Sequence, residues 1–588
     1  MTPAPLLGID LGTTNSVVSI LENNTPLTIP VDGEKLLPSA VCLTDEGFIV
    51  GKTARNMALL EPERTVLSVK RKMGQNIQLK MGERSMRPEE VSSLILQKLK
   101  TAALDYLQLP HNTAVRTVIT VPAYFTEEQR GATKQAAEMA GLRTERIINE
   151  PTAAALSYGM SQMNEATYAV YDFGGGTFDV SVIESNDGLV EVLATTGNNH
   201  LGGDDLDNLL ANYLWEKFLA ANTLSNIKPG RKEMARLNRI AEQAKIKLSD
   251  ATEVNIQESF FFKLNNINYH LEYTLSRQEF ENLTREKIRE TIEHLQKAVE
   301  EAKLKMDQLD GILLVGGSSR IPLVSKLISE NTGIEPTLVN SPDEAVSHGA
   351  TVQGAIIDDL DIETILVDIT PHSLGVSALD EISLREKFFN AMAEDKKENK
   401  KKKNEEPPNL KAAMIIPKNT PIPASRTKLF HNVVPYQKEY NIDIYQGEGK
   451  RFAENRCIGE IVLKVPKPNE EATVEVTFTL DLNGLLKVTA TETTTKQMVN
   501  ATFKSSRGIK VFKAKSNQPA ILPSEVTQNT LLKRAQDLLE NEKIESEDAE
   551  DLNKLISQLK KALNNSDKTE IENIEAELLD LLYYLEEN

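Results

Sequence analysis

The chain has 588 residues, more than one hydrophobic core usually organises, so we expect several domains. Its 40% hydrophobic and 26% charged residues are ordinary globular values and exclude wholesale disorder. The 86 acidic residues outnumber the 67 basic residues and give a net charge of -19, which argues against a nucleic-acid-binding protein.

Cysteine usage and the start of the chain point to a reducing compartment. Cys42 and Cys457 are far apart and no Cys/His cluster accompanies them, which argues against a disulfide framework or a zinc site. No basic segment leads into a long apolar one at the start, and no apolar run reaches about 18 residues. We therefore expect a cytoplasmic protein with no membrane and no nucleic acid among its partners.

Up to about residue 360, Val/Ile-rich runs alternate with helical patterns, which is typical of α/β layers. The clearest strand-forming runs are Leu6–Ile9, Val115–Val121, Tyr168–Val182 and Gly311–Val315. A helix is predicted after Phe125, because Thr126 and Gln129 form a capping-box pair and Gly141 is a helix stop.

Two segments, 9–20 and 171–182, repeat one design: a strand, an Asp, a turn of Gly and Thr residues, and a returning strand. A single Gly-rich turn is most often a structural hairpin, but two with matched Asp and Thr positions favour a clamp around a phosphate chain. Backbone N–H groups and threonine hydroxyls would donate to phosphate oxygens. The residues concerned are Gly12, Thr13, Thr14, Gly174, Gly175, Gly176 and Thr177.

Asp10 and Asp172 stand where the first strand of each segment enters its turn. Two carboxylates at that point would repel bound phosphates, and a divalent cation between them resolves the repulsion. Mg²⁺, which keeps several waters, is the ion we expect.

The chain changes character beyond residue 360. The apolar stretch Thr364–Asp368 fits an edge strand and an interdomain linker equally well. Strands punctuated by Pro and Gly then indicate a β domain, with a hairpin turn at Asp481–Gly484. Its predicted strands are Lys428–Phe430, Tyr440–Gln446, Ile458–Val465, Val474–Leu480 and Leu485–Thr491. We interpret the charged run Lys396–Glu406 as a disordered surface insertion rather than a nucleic-acid patch.

After Pro523 the pattern is helical. Apolar residues recur at i, i+3, i+4 and i+7 on both sides of a break at 564–567, which predicts a small antiparallel helical unit. They are Leu552, Leu555, Ile556, Leu559 and Leu563 before the break, and Ile571, Ile574, Leu578, Leu581, Leu582 and Leu585 after it.

Six motifs follow one another along the chain: Asp10–Ser16, Val121–Phe125, Asn149–Ala155, Asp172–Asp179, Leu314–Arg320 and Ser341–Val346. Together they resemble the signatures of the seventy-kilodalton heat-shock proteins, the DnaK family, and the likeness runs from about residue 6 to about residue 510. The resemblance implies a multidomain fold: a duplicated actin-like α/β ATPase domain, then a β-sandwich peptide-binding domain and a short C-terminal α-helical lid. The implied ranges are 1–361 for the ATPase domain, 362–369 for the linker, 370–515 for the β domain with a charged insertion at about 384–410, and 516–588 for the lid.

The resemblance also implies roles for residues at matching positions. Lys70 matches the catalytic lysine that neutralises charge at the γ-phosphate, although by itself it would be one exposed lysine among many. Glu150, Asp172 and Asp179 match carboxylates that order water and magnesium, and Thr177 matches a threonine near the γ-phosphate. Residues that would hold the rest of the nucleotide, or the Mg²⁺ through water, are Asp10, Gly12, Thr13, Thr14, Asn15, Asp172, Gly174, Gly175, Gly176, Gly202, Gly203, Glu242, Lys245, Ser249, Gly316, Gly317, Ser318, Arg320 and Asp343.

The β domain would grip an extended peptide through β-type hydrogen bonds and one apolar pocket. Without the resemblance, the residues below would be read as sandwich core. The implied pocket residues are Val376, Phe430, Tyr440 and Ile442, and the implied arch residues are Leu379 and Val433. The implied coupling residues are Pro122, Arg130, Ile365, Leu366, Val367 and Asp368.

Three features depart from the family pattern. Tyr440 stands where a small aliphatic residue is usual, which predicts a pocket that is shallower or polar at its base. The insertion at about 384–410 falls where the family is short, and the helical unit is about half the usual lid. Together with a shortened first half of the ATPase domain, these features resemble the specialised bacterial branch represented by HscC.

We therefore expect an ATP-dependent molecular chaperone that binds and releases hydrophobic segments of unfolded or client polypeptides. Its cofactors would be ATP/ADP and Mg²⁺, with K⁺ as a further candidate ion. A J-domain cochaperone and a nucleotide-exchange factor are the implied partners of a monomer. A small-molecule kinase and an actin-like filament ATPase are the alternatives, but both leave residues 370–588 unexplained.

Overall fold

The computed structural model describes residues 4–159, 165–186, 188–265, 267–360, 365–379, 410–502, 552–559, 561 and 574. The predicted charged run Lys396–Glu406, nearly all of the insertion around it and most of the predicted lid lie outside the described residues. The chain divides into two compact units, residues 1–512 and 513–588. Within the described ranges, no helix is both long and apolar enough to cross a membrane.

The first lobe of the α/β region spans residues 6–158. Its elements are β1 (Leu6–Asp10), β2 (Asn15–Glu22), β3 (Thr25–Thr28), β4 (Leu37–Pro38), β5 (Val41–Thr44), β6 (Gly47–Val50), α1 (Lys52–Met57), β7 (Thr65–Val66), β8 (Leu79–Met81), β9 (Arg84–Met86), α2 (Pro88–Tyr106), β10 (Val115–Val121), α3 (Glu127–Met139), β11 (Leu142–Asn149) and α4 (Glu150–Tyr158). The main sheet has the order β11-β10-β1-β2-β3, with β4 on β2. Helices cover it, and the Val/Ile-rich β10 is therefore buried along almost its whole length.

The second lobe repeats the strand pairing of the first. Its elements are β12 (Ala166–Phe173), β13 (Phe178–Asn186), β14 (Leu189–Asn198), α5 (Gly203–Ala221), α6 (Arg231–Asp250), β15 (Glu253–Leu264), β16 (Ile267–Ser276), α7 (Arg277–Glu301), β17 (Gly311–Val315), α8 (Pro322–Thr332), β18 (Thr337–Leu338) and α9 (Ala345–Ile357). β12 pairs antiparallel with β13 and parallel with β17, just as β1 pairs antiparallel with β2 and parallel with β10. The internal repeat predicted from the two turn segments is confirmed.

The helix predicted after Phe125 is confirmed at both ends. The amide of Gln129 donates to Thr126 Oγ1 at 3.4 Å, and the amide of Thr126 donates to Gln129 Oε1 at 2.9 Å. Gly141 follows the last turn with φ of +71°, a left-handed conformation that favours glycine. This helix, α3, positions residues that reach the β domain.

Residues Ile365–Ile369 form β19, which joins the two regions. β19 pairs in parallel with β14 of the second lobe and antiparallel with β22 (Pro421–Ile422). The resulting sheet has the order β18-β17-β12-β13-β14-β19-β22. The stretch predicted as either an edge strand or a linker thus forms a strand, which lies between β14 and β22 in the sheet.

The β domain is a sandwich of two four-stranded antiparallel sheets. Its further strands are β20 (Leu374–Leu379), β21 (Leu410–Ile416), β23 (Ala424–His431), β24 (Glu439–Gln446), β25 (Arg456–Lys464), β26 (Thr473–Leu480), β27 (Leu486–Glu492) and β28 (Met498–Thr502). The sheet orders are β21-β20-β24-β25 and β23-β26-β27-β28. Alternate residues of both sheets point inward and form one apolar core, and the predicted hairpin turn at Asp481–Gly484 joins β26 to β27.

In the second unit, residues 552–559 are helical. Leu552, Ile556 and Leu559 are buried, which confirms the predicted spacing over this stretch. The remaining predicted apolar positions after residue 561 lie outside the described residues, except for the buried Ile574.

Candidate functional site

The two repeated turns lie directly against each other between the lobes. A Cβ atom on Gly175 would lie 2.0 Å from Thr14 Oγ1, and one on Gly176 would lie 2.4 Å from Thr13 Cγ2. Only glycine allows this approach. The prediction that one turn from each half faces the other is confirmed.

A cavity of about 680 Å³ opens beside the turns, a volume typical of small-molecule sites. It is lined by most of the predicted nucleotide residues: Asp10, Gly12, Thr13, Thr14, Asn15, Lys70, Glu150, Asp172, Gly174, Gly175, Thr177, Glu242, Lys245, Ser249, Gly316, Gly317, Ser318, Arg320 and Asp343.

Four of the predicted site residues lie behind the cavity wall instead of lining it. Gly176 and Gly202 are in close contact with each other, and a Cβ on Gly203 would meet Ser318 and Lys245. Asp179 is fully buried and accepts a hydrogen bond of 2.9 Å from the amide of Tyr124. These four residues therefore support the cavity wall from behind in this structure, and their predicted roles with a nucleotide stay a prediction.

Lys70 is buried in the cleft, so the interpretation of an exposed lysine is wrong. A short 3₁₀ turn, Val69–Lys72, turns its side chain inward, where its ammonium group donates to Glu150. Burial acts to lower the pKa of Lys70, but the charges of Glu150, Asp10 and Asp172 outweigh burial and hold the pKa above its ordinary value. Lys70 therefore stays protonated.

The buried carboxylates outnumber this one ammonium group. Burial raises the pKa of Asp172 to about 7 and that of Asp179 to about 7, and it also raises the pKa of Asp10. Asp10 accepts a 3.2 Å hydrogen bond from Thr120, a residue that the motifs did not single out. A cation beside Asp10 and Asp172 would relieve this excess of negative charge.

The donor set suits Mg²⁺ held mainly by water and phosphate. The described residues contain no group of three or more His, Cys, Asp or Glu side chains that could ligate a metal by themselves. Mg²⁺ is ordinarily bound by one or two carboxylates with waters and substrate phosphates. Asp10 and Asp172 therefore fit the ion that the sequence predicted.

The model of the Hsp70 protein family matches residues 6–80, 75–403 and 409–587. The chain belongs to the Hsp70 family. Hsp70 proteins are ATP-dependent chaperones with a two-lobe ATPase domain and a substrate-binding domain, and they bind client polypeptides and J-domain cochaperones. They bind ATP or ADP with Mg²⁺. The matched segments break at 404–408, at the end of the charged run and inside the predicted insertion at about 384–410.

Helix α6 carries the predicted adenosine residues of this Hsp70 chain on one face of the cavity. Glu242 forms an ion pair with Arg55 across the cleft, and Lys245 forms one of 2.7 Å with Asp207. Opposite them, Arg320 donates to Asp343 at 3.1 Å. Each predicted side chain thus has a protein partner.

Sequence reasoning missed two acidic residues of the cleft. Asp204 accepts a 2.6 Å hydrogen bond from Ser68, and Asp207 has one carboxylate oxygen without a partner among the described residues. Burial raises the pKa of Asp207 to about 7. Asp204 directly follows Gly203, and Asp207 lies three positions further along the chain. The acidic run after the two glycines was the available signal.

Of the predicted coupling residues, Pro122, Arg130 and Asp368 are buried, Leu366 and Val367 are half-buried, and Ile365 is exposed. Asp368 and Arg130 are joined through Asn149. The side-chain amide of Asn149 donates to both carboxylate oxygens of Asp368, at 2.7 and 2.8 Å. Arg130 donates to Asn149 from the other side, and Pro122 accepts the turn hydrogen bond from the amide of Phe125. Asn149 directly precedes Glu150, the residue that contacts Lys70 in the cleft.

The β domain also contacts the ATPase region through polar groups that the motifs did not predict. The amide of Ile147 donates to Asn483 at 2.8 Å, and the amide of Leu486 donates to Glu127 at 3.2 Å. Lys418 pairs with Glu301 at 2.6 Å. The hairpin turn 481–484 therefore lies against β11 and α3.

The predicted peptide-binding residues divide by burial. Val376, Tyr440 and Ile442 belong to the buried core of the sandwich, and Phe430 packs against that core. Leu379 is half-buried at the end of β20, and the side chain of Val433 is 45% exposed. The first group therefore also serves the sandwich core.

Proposed function

We propose that this chain hydrolyses ATP in the cleft and uses hydrolysis to switch the β domain between fast and slow exchange of extended hydrophobic client segments. A J-domain protein would stimulate hydrolysis, and an exchange factor would release ADP. The observation that carries the proposal is the direct succession of Asn149 and Glu150. Glu150 contacts Lys70 in the cleft, and Asn149 holds Asp368 of the interdomain strand.

In this proposal the residues of the cleft act mainly by position and charge. The backbone of the turns and the hydroxyls of Thr13, Thr14 and Thr177 would hold phosphate oxygens, and Lys70 would stabilise charge that develops at the γ-phosphate. Glu150 would orient the attacking water, because its carboxylate lies beside Lys70. Mg²⁺, held through water by Asp10 and Asp172, would neutralise phosphate charge.

The nucleotide and the bound peptide would then both shift the position of β19. A nucleotide that shifts Glu150 also shifts Asn149, and the bond to Asp368 passes the shift to β19 and the β domain. Coupling between two binding sites is reciprocal, so a bound peptide must alter the nucleotide cleft in return.

The kinase and filament alternatives are not favoured. Neither gives a use for residues 370–588, whereas the family match extends to residue 587.

Steady-state ATP turnover with and without a hydrophobic peptide tests the proposal. We expect the peptide to raise turnover, and Asp368→Ala to reduce the ratio of stimulated to basal turnover towards one. Equal turnover with and without saturating peptide in the wild-type protein would contradict the coupling.

A further inference from the structure

Ser68 has an uncommon backbone conformation directly before the 3₁₀ turn that carries Lys70. Its φ of +51° and ψ of +37° fall in the left-handed region, which a serine seldom adopts. Lys70 is the second residue of the turn Val69–Lys72 that follows. A strained residue of this kind persists only where its surroundings impose the conformation. The placement of Lys70 therefore depends on what holds Ser68.

The hydroxyl group of Ser68 is held by the second lobe. It donates to Oδ2 of Asp204 at 2.6 Å, across 136 positions of sequence. Asp204 is in turn bound to the second Gly/Thr turn, residues 174–177, because its amide donates to the carbonyl oxygen of Gly175 at 2.7 Å. Ser68 thus connects the turn that carries Lys70 to a turn that would hold phosphate.

Arg71 makes a further connection between the same two turns. Its Nε donates to the carbonyl oxygen of Gly176 at 2.9 Å, and its guanidinium group forms an ion pair with Asp205. Ser68 and Arg71 stand on either side of Lys70 in the sequence, and both contacts run from the first lobe to the second. Separation of the lobes would therefore break both connections.

The ion pair of Lys70 with Glu150 differs from these contacts, because both of its members belong to the first lobe. It can persist whether the lobes are closed or apart. Of the contacts described around Lys70, those of Ser68 and Arg71 align its turn with the second lobe.

We propose that Ser68 is a positioning residue that makes the reach of Lys70 towards the γ-phosphate depend on closure of the two lobes. This inference rests on the proposed ATP hydrolysis. In the closed protein, the bond to Asp204 fixes the turn of Lys70 against residues 174–177. With the lobes apart, Ser68 loses the partner that supports its conformation, and the turn is no longer aligned. ATP is then hydrolysed only while both lobes enclose it.

Ser68→Gly tests the proposal, because glycine removes the hydroxyl group and adopts the left-handed conformation without strain. We expect single-turnover hydrolysis to be about tenfold slower and ATP affinity to stay within about twofold, since the lost contact positions Lys70 and does not bind ATP. Energy transfer between one dye on each lobe, without nucleotide, gives a readout that does not depend on hydrolysis. The ratio of closed to open protein should fall about fivefold in the variant.

Two further variants separate the hydrogen bond from other effects. Ser68→Asn should restore most of the hydrolysis rate, because asparagine tolerates the left-handed conformation and its side-chain amide can donate to Asp204. Asn24→Gly is the matched control, since Asn24 also has a positive φ, of +60°, but is exposed and lines neither cavity. It should hydrolyse ATP at the wild-type rate.

The possible outcomes are distinct. A wild-type hydrolysis rate in Ser68→Gly would overturn the positioning role while ATP hydrolysis stands. An equal loss of ATP affinity and hydrolysis, with no recovery in Ser68→Asn, would also overturn it, because Ser68 would then only support the fold. Absence of hydrolysis in the wild-type protein would overturn the proposed function itself.

Discussion

Lys70 shows how one residue acquires its chemistry from distant parts of the chain. It lies 80 positions from Glu150 in sequence, yet the two side chains are in contact and both are almost fully buried. A buried ammonium group is costly unless carboxylates surround it, and here three carboxylates keep it charged. The arrangement suits a residue that stabilises phosphate charge in the transition state.

Lys70→Ala should reduce ATP turnover by about 10²- to 10⁴-fold and leave ADP affinity nearly unchanged, because the interaction matters mainly in the transition state. Single-turnover hydrolysis and ADP titration measure the two quantities. Lys72→Ala is the control, since Lys72 lies in the same 3₁₀ turn but lines the adjoining cavity and not the nucleotide cavity. Turnover of Lys70→Ala equal to that of Lys72→Ala would remove Lys70 from the catalytic site.

At the scale of elements, β19 is the strand that both domains share. It extends the sheet of the second lobe beside β14, and its last two residues pair with β22. Leu366 packs against the central apolar cluster, and Asp368 is held by Asn149. In the proposed mechanism, a change in either domain would reach the other through this strand.

Leu366→Asp together with Val367→Asp should abolish the stimulation of ATP turnover by peptide. Charged side chains at these half-buried positions would have to lose water, at a cost of several kcal/mol, for the strand to stay in the sheet. Turnover with and without peptide is the measurement. Leu360→Asp, at an exposed position before the strand, should keep the stimulation. Stimulation that survives in the double variant would show that β19 does not couple the domains.

At the scale of the whole molecule, Glu127 and His372 are titratable groups that lie where the β domain meets the ATPase region. Glu127 is 2% exposed and accepts from Leu486, and burial raises its pKa to about 8. The ring of His372 lies 4.3 Å from that of Tyr124, and burial lowers the pKa of His372 to about 4. Packing of the two domains is therefore linked to protons in two opposite ways.

Glu127 takes up a proton when the domains pack, because its pKa is higher in the packed state. Packing is therefore favoured at pH values below the raised pKa of about 8. The equilibrium constant for packing should fall about tenfold between pH 7 and pH 9. Energy transfer between one dye on each domain, with ATP present, reports the packing. Glu127→Gln should remove this loss, whereas Glu138→Gln, at an exposed position on the same helix, should keep it. An identical alkaline loss in all three proteins would assign it to another group.

His372 gives domain packing a pH dependence of the opposite sign. Its lowered pKa means that packing requires the neutral ring, so its contribution is complete above the ordinary value of about 6.5 and declines as the pH falls towards 4. At pH 5.5, the equilibrium constant for domain packing should be about tenfold larger in His372→Leu than in the wild-type protein. At pH 7.5 the two constants should be nearly equal. His431→Leu, on an exposed strand, should follow the wild-type protein at both values. A ratio of variant to wild-type packing constants that does not change with pH would contradict the role of His372.

The sequence by itself determined the elements and the local design of the nucleotide turns. Capping at Thr126 and Gln129, the hairpin at Asp481–Gly484 and the repeated turn segments depend on residues a few positions apart, so their patterns are visible in one stretch of chain. The buried positions of β10 follow in the same way from its run of Val and Ile.

The tertiary structure alone decided which groups meet and which are deprived of water. Asn149 and Asp368 are 219 positions apart, and only the approach of β19 to β11 and α4 brings them together. The burial of Lys70 and the unpaired hydroxyl of Tyr440 likewise arise from several elements closing around one side chain. Burial and charge at a site depend on everything packed around it, and that is information which no local spacing contains.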